Sequence, residues 1–325
     1  MKNPIERLIF KAQELIQEEP AQLYSANKKI VYDLACPSDA VYKGHINYSR
    51  WSKMNLPEEI SLSDSKTHIF IKDGFFDYLP QEQYSTSIEW HLNFADEDIF
   101  IAYGTDLFAQ DEMQVAEHPA LASLKQRLTG LGVDASTMDG DDPTPILISG
   151  VERRCFVKTD INAEEGRPYG LYGNEFGRAS EDVIKNSIVV LNPPTITNFL
   201  AISAPYGGKG KYTYEEIRYI LDTAYSGFKA VVRESGSTSS IIHTGYWGCG
   251  AYGGNKILMT WLQIVAARLA GVNQLVFHTG EPDYGELKKS WNEIETFFGE
   301  NLYSIEGFIN KVCELGFEWG ESDGN

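Results

Sequence analysis

Two adjacent acids, Asp111 and Glu112, follow Gln110, and a third acid, Asp96, lies upstream at the end of the apolar run 88–95. Cleavage of a glycosidic bond needs a carboxylic acid to protonate the leaving oxygen and surroundings that tolerate an oxocarbenium-like transition state. Glu112 is the candidate acid; Asp111 and Asp96 are candidates to stabilise positive charge and to orient water. Residues 108–117 read as a helix, which places Asp111 and Glu112 in its first turn. Carboxylates are favoured there by the helix dipole alone, so a structural role stands beside the catalytic one.

The second constellation is the stretch 244–255, Thr-Gly-Tyr-Trp-Gly-Cys-Gly-Ala-Tyr-Gly-Gly-Asn. An apolar run, 239–243, feeds into it and an amphipathic run, 256–269, leaves it, which predicts a strand, a glycine loop and a helix. Glycines permit positive φ and leave no Cβ in the way, so successive backbone N–H groups can turn toward one point beside a helix N-terminus. That geometry holds a diphosphate without cationic side chains. Trp247 and Tyr252, interleaved with the glycines, suit a ligand that also carries a base and sugars. A tighter cluster, Gly207-Gly208-Lys209-Gly210-Lys211, has the wrong spacing for a nucleotide loop and places Tyr212 where such a loop needs Ser or Thr.

The elements that must position these groups alternate from about residue 88 onward. Strands are expected at 88–95, 145–149, 187–191, 239–243 and 274–278, and helices near 108–117, 214–233, 256–269, 284–298 and 304–315. This order favours an α/β sandwich around a mostly buried sheet, with ligands at the carboxyl ends of its strands. Before residue 88, the reading is an amphipathic helix over 1–19 and strands at 29–34 and 67–72. Residues 130–143 and 160–179 read as loops. Residues 1–87 are therefore expected as an extension packed on a core that spans 88–325.

A formal net charge of −18 over 325 residues argues against a nucleic-acid partner, which would require clustered Lys and Arg. A compact anion held by backbone dipoles remains compatible. Cys36, Cys155, Cys249 and Cys313 are widely separated and form no metal-ligand spacing, so neither a metal nor a disulfide framework is expected. The N-terminus does not read as a signal peptide, and the most apolar segment, 257–270, is too short to span a bilayer. The expectation is an intracellular protein with no membrane partner, export by a route without a cleavable signal being left open.

The stretch 247–254 closely resembles the diphosphate loop of the poly(ADP-ribose) glycohydrolases, which are macrodomain-fold enzymes. Residues 221–228 resemble the family's helix before that loop, and the segment from Phe94-Ala95-Asp96 to Gln110-Asp111-Glu112 resembles its catalytic segment. The resemblance extends over roughly 88–298. It implies a three-layer α/β/α macrodomain with a mixed central sheet, requiring no cofactor. It also implies Glu112 as catalytic acid, Asp111 as its neighbour, Gln110 as a ribose contact, and Gly248, Cys249, Gly250, Ala251, Tyr252, Gly253 and Gly254 along the diphosphate. Asp96 stands where the family has Asn, and Asn93 where it has Asp.

Ala102-Tyr103-Gly104 replaces the family's three glycines. A Tyr103 side chain beside the distal ribose would narrow the site and favour single ADP-ribose units on protein over long polymer. Tyr169 or Tyr172 could serve the adenine. The function implied is an ADP-ribosyl glycohydrolase acting on an ADP-ribosylated protein; the alternative is a non-catalytic reader of ADP-ribose.

Overall fold

A computed structural model describes residues 4–60, 66–79, 86–280 and 303–324. Strand β1 (Pro4–Lys11) leads into helices α1 (Ala12–Glu18) and α2 (Ala26–Ala35), then strands β2 (His45–Trp51), β3 (Glu59–Ile60), β4 (His68–Lys72) and β5 (Ile88–Ala95). Helices α3 (Gln110–Glu117) and α4 (Ala120–Gly130) precede a small hairpin, β6 (Met138–Asp139) with β7 (Asp142–Pro143). The long strands β8 (Ile146–Val157) and β9 (Ile188–Ser203) are joined through α5 (Glu175–Arg178) and α6 (Glu181–Ser187). Then follow α7 (Tyr214–Ser235), β10 (Ser240–Thr244), α8 (Lys256–Ala270), β11 (Gln274–His278), β12 (Tyr303–Ser304) and α9 (Ile305–Glu314).

One mixed sheet of eight strands runs in the order β1-β2-β8-β9-β5-β10-β11-β4. From β9 to β4 neighbouring strands are parallel, and from β1 to β9 they are antiparallel. Alternate residues of the central strands enter different cores. Leu200 and Ile202 of β9, with Trp90 and Leu92 of β5, pack under α7, α8 and α9. Phe199, Ala201 and Ala95 pack under α1, α3 and α4. Helices on both faces of a mixed sheet give a three-layer α/β/α arrangement, the sandwich that the alternating pattern implies.

The clearest sequence signals are also the best formed elements. Asn255 caps α8, its Oδ1 accepting from the amides of Ile257 and Leu258 at 3.1 Å each, and Gly271 ends that helix in the left-handed region. Thr213 and Glu216 form a reciprocal cap at the start of α7.

Of the N-terminal expectations, the strand at 67–72 forms as β4 and residues 12–18 of the expected helix form α1, while the others are corrected. Residues 4–11 form an edge strand rather than a helix: every second residue turns outward, so Ile5 and Ile9 are 51% and 61% exposed while Leu8 and Phe10 face the core. Residues 29–34, expected as a strand, lie inside α2. There Lys28, Val31 and Ala35 bury one helical face, and Ser25 accepts from the Lys28 amide. A short apolar run does not distinguish the two periods, and tertiary pairing decided each case. Residues 1–87, expected as an extension, supply β1, β2 and β4 to the sheet itself. The helix expected at 284–298 lies outside the described residues.

Candidate functional site

The carboxyl ends of the parallel strands meet at one edge. Here β5 delivers Asp96, β9 ends at Ser203, and β10 opens into the loop 245–255. Helix α3 begins on the α1/α4 side of this edge, and a set of side-chain bonds holds it to β5. Gln110 acts as a surrogate strand: its Oε1 accepts from the Phe94 amide and its Nε2 donates to the Leu92 carbonyl, both at 2.9 Å. With both ends of its amide engaged by backbone, Gln110 positions α3; the second N–H of its Nε2 is not used by these two bonds, so the ribose contact implied for it stays compatible with this arrangement. Asn93 Nδ2 donates to Asp111 Oδ1 at 2.7 Å and to Gln114 Oε1 at 2.8 Å, which fixes the Asp111 carboxyl.

Asp111 and Glu112 are buried, at 7% and 4% exposure. Burial raises the pKa of both. The Glu112 charge raises Asp111 further, against the Asn93 hydrogen bond and the nearby Lys28 ammonium. For Glu112, the Lys28 charge and the amides of Glu112 and Ala109 oppose the effect of burial. Two carboxyls so placed retain a proton into a pH range where free carboxyls have lost theirs. Glu112 Oε2 also accepts from the Ala109 amide at 3.1 Å, so the capping role open to it in sequence is present alongside the proton-holding one.

On the other side of the edge, the glycine loop is tied to the acid segment by one hydrogen bond: Tyr252 Oη donates to Asp96 Oδ2 at 3.2 Å. Gly248 and Gly253 have positive φ, at 74° and 66°. A Cβ at Gly248 would stand 2.5 Å from the Ala204 Cβ, and one at Gly254 would stand 2.6 Å from the Gly248 carbonyl oxygen. These glycines thus satisfy the loop's own turn and its approach to β9. Trp247, expected at the ligand, is fully buried in the α7/α8 core with its indole N–H on the Ile202 carbonyl at 3.1 Å. Cys249 is held by burial as a neutral thiol, its pKa pushed up to about 12.

The Tyr103 expectation is also corrected. Its ring is 5% exposed and packs in the core beneath α1 and α4. Its hydroxyl accepts from the Gln22 amide and from Gln126 Nε2, each at 2.8 Å. It therefore does not narrow a ligand site. Gly104 is required for a different close approach: a Cβ there would lie 2.4 Å from the Gln22 carbonyl oxygen, and the Gly104 carbonyl accepts the amides of Tyr24 and Ser25.

Three contributors were missed or misplaced in the sequence. Lys28 of α2 is buried and donates from Nζ to the Tyr103 carbonyl at 2.8 Å. Burial pulls its pKa down to about 8, against the charges of Glu112, Asp111 and Asp106. Its helical spacing with Val31 and Ala35 was the available signal. Tyr172, considered for adenine, is 37% exposed and lies within reach of the Asp323 and Glu112 charges. Burial pushes its hydroxyl up to about 12, with the charges of Asp323 and Glu112 adding to that shift and the Gln110 backbone opposing it. Tyr206 is 81% exposed and meets the Tyr252 ring edge-on, with centroids 5.1 Å apart; Tyr169, at 76% exposure, makes no such contact with the loop.

Residues 162–284 match the family model of the poly(ADP-ribose) glycohydrolase catalytic domain, with the macro domain fold. Among solved structures, the chain is similar to poly(ADP-ribose) glycohydrolase from Thermomonospora curvata, at 15% identity and a TM-score of 0.46, covering 89% of this chain and 85% of that one. The same enzyme bound to the inhibitor ADP-HPD matches at 17% identity and 0.43, covering 71% and 80%. The enzyme from Deinococcus radiodurans in complex with ADP-ribose matches at 11% identity and 0.46, covering 89% and 94%.

Proposed function

We propose that this chain, a macro-fold protein of the poly(ADP-ribose) glycohydrolase type over residues 162–284, is a hydrolase that cleaves the glycosidic bond of an ADP-ribosyl linkage. The observation that carries the reading is the Tyr252 to Asp96 hydrogen bond, 3.2 Å, because it joins a diphosphate-type loop to the end of β5, and the charge of Asp96 there reaches both carboxyls of the buried acid pair. In this reading, backbone amides of Gly250, Ala251 and Tyr252 hold the diphosphate and the Tyr206 and Tyr252 rings offer apolar surface. The scissile bond then faces α3. Glu112 donates its proton to the leaving oxygen, water attacks the anomeric carbon and returns a proton to the Glu112 carboxylate, and Asp111 and Asp96 orient the ribose hydroxyls and that water. Lys28 limits how far burial raises the Glu112 carboxyl.

The expected preference for single ADP-ribose units rested on the Tyr103 ring, and that support is withdrawn with the ring in the core. The reading retained is cleavage of ADP-ribosyl linkages, with linkage and chain length as the variables of the test. Proteins modified on serine, arginine or glutamate, and polymer, are incubated with the parent and with Glu112→Gln, and released ADP-ribose is followed by mass spectrometry. The parent releases ADP-ribose from at least one substrate, and the variant is slower by about a hundredfold or more. Undiminished release by the variant removes Glu112 from the chemistry. Binding of ADP-ribose without release from any substrate makes the protein a reader.

A further inference from the structure

Residues 318–324, beyond α9, lie directly across the glycine loop. The Gly320 amide donates to the Gly253 carbonyl at 2.8 Å, and the Asp323 amide to the Gly250 carbonyl at 3.4 Å. Asn255, the cap of α8, donates from Nδ2 to the Glu318 carbonyl at 3.0 Å. The approach is close enough that a Cβ on Gly250 would be 2.9 Å from Asp323 Oδ2, and one on Gly253 would be 3.0 Å from the Gly320 carbonyl oxygen. Upstream, the segment is anchored by Trp319, whose ring stacks on Tyr212 with centroids 4.3 Å apart and whose amide donates to the Gly210 carbonyl at 2.8 Å. Gly208 makes room for that ring, since any Cβ there would overlap the indole.

The chemistry of this segment matters more than its presence. It carries three acids, Glu318, Glu321 and Asp323, and it rests on the loop assigned to an anion. Asp323 places its carboxylate beside Gly250, and its charge is felt at Tyr172 together with that of Glu112. A diphosphate entering this cradle meets a like charge already there. The hold is divided unevenly: Trp319 is partly buried at its stack, whereas residues 320–324 are exposed. The buried indole Nε1 also has no hydrogen-bond partner, so the anchor itself is imperfectly satisfied.

We propose that residues 318–324 are an internal competing ligand: an acidic strap whose Asp323 carboxylate stands in for a phosphate on the 248–254 loop and must leave before a diphosphate binds. The proposal rests on the diphosphate reading of that loop. The apparent affinity of a site scales with the fraction of time it is open, so a strap closed for about nine-tenths of the time weakens binding about tenfold. Glu318 and Glu321 add long-range repulsion, and Trp319 acts as the hinge post that returns the strap.

The test measures calorimetric affinity for ADP-ribose and for inorganic pyrophosphate in the full chain and in the variants Asp323→Asn and Trp319→Ala. Amide hydrogen exchange of residues 318–324 is followed with and without each ligand. Both variants are expected to bind at least one of the ligands about five- to tenfold more tightly than the parent, and ligand should speed exchange at residues 320–324. Unchanged or weaker affinity in Asp323→Asn, or slower exchange of the strap on ligand binding, overturns the proposal, because the segment would then be a wall of the bound site. Tighter pyrophosphate binding without any ADP-ribose binding upholds the strap while removing the ADP-ribose reading. Failure of both ligands to bind the parent and both variants overturns the two together.

Discussion

Glu112 meets two demands with one carboxyl group: it accepts the Ala109 amide at 3.1 Å and lies beside Asp111 in a buried pair. The first demand concerns folding and the second concerns a proton, and Glu112→Gln separates them because glutamine retains the acceptor. Affinity for ADP-ribose should stay within several-fold of the parent while turnover falls, since a proton donor acts on the chemical step. Lys28 supplies the opposing charge. In Lys28→Met the Glu112 carboxyl loses the ammonium that lowers its pKa, so a protonated acid persists to higher pH and the alkaline limb of kcat/KM moves upward. An unmoved limb would separate Lys28 from the acid pair.

Asp111 has a sign opposite to the usual aspartate. Its folded-state pKa is raised, chiefly by burial, so above the unfolded value the native state holds a proton that the unfolded chain has released. Stability therefore falls as pH rises from the ordinary carboxyl range through the raised value. Asp111→Asn keeps an oxygen for Asn93 and removes the titration. Thermal unfolding at pH 5 and pH 8 should show a smaller difference in Tm for the variant, with its Tm at pH 8 above the parent's by about 2–4 °C for each kcal/mol relieved. An unaltered pH dependence would place the proton elsewhere.

At the scale of elements, the glycines of one loop have separate reasons to be glycine. Gly248 combines a φ of 74° with a Cβ position 2.5 Å from Ala204, so Gly248→Ala strains the backbone and overpacks β9. A loss of about 1–3 kcal/mol is expected in denaturant unfolding. Gly250→Ala meets only the end of the Asp323 side chain, which can swing away, and should leave the unfolding midpoint nearly unchanged. Equal losses in the two variants would contradict this division. Tyr103→Gly does not widen a ligand site, since the ring lies in the core, and should instead unfold the protein more easily. It removes a buried ring and the acceptor of the Gln22 amide, a change that costs about 3–5 kcal/mol for large aromatic side chains.

These elements also define what the sequence could reveal. The strand at 88–95, the strand, loop and helix from 240 to 270, and β11 were legible because glycine turns and caps punctuate clear periodic runs. The N-terminal elements were not, since residues 4–11 and 26–35 carry apolar patterns compatible with either period, and their pairing or packing against distant residues decided between them. The acid pair and the glycine loop were legible as local motifs. The Tyr103 ring, Lys28 and the strap at 318–324 were not, because each acts on residues remote in sequence. Residue type could not show that Tyr103 turns inward or that Trp319 stacks on Tyr212.

For the molecule as a whole, charge opposes the ligand. With a net charge of −18, the protein repels an anion at long range, and Asp96, Glu97, Asp106 and the strap acids are exposed around the site edge. In the proposed site attraction comes from backbone dipoles at short range, which salt screens little, whereas the repulsion acts through solvent and is screened over about 8 Å at physiological ionic strength. The two contributions therefore respond differently to salt. Lys256, whose ammonium lies 4.8 Å from the Tyr246 ring centroid, is a nearby cation acting against the trend, yet it is a single charge. ADP-ribose should accordingly associate faster and bind more tightly as sodium chloride is raised from low to physiological concentration, the reverse of a site built from Lys and Arg. Stopped-flow association and calorimetry across that range provide the measurement. A steady loss of affinity with salt would mean that cationic side chains, rather than the 248–254 backbone, hold the diphosphate.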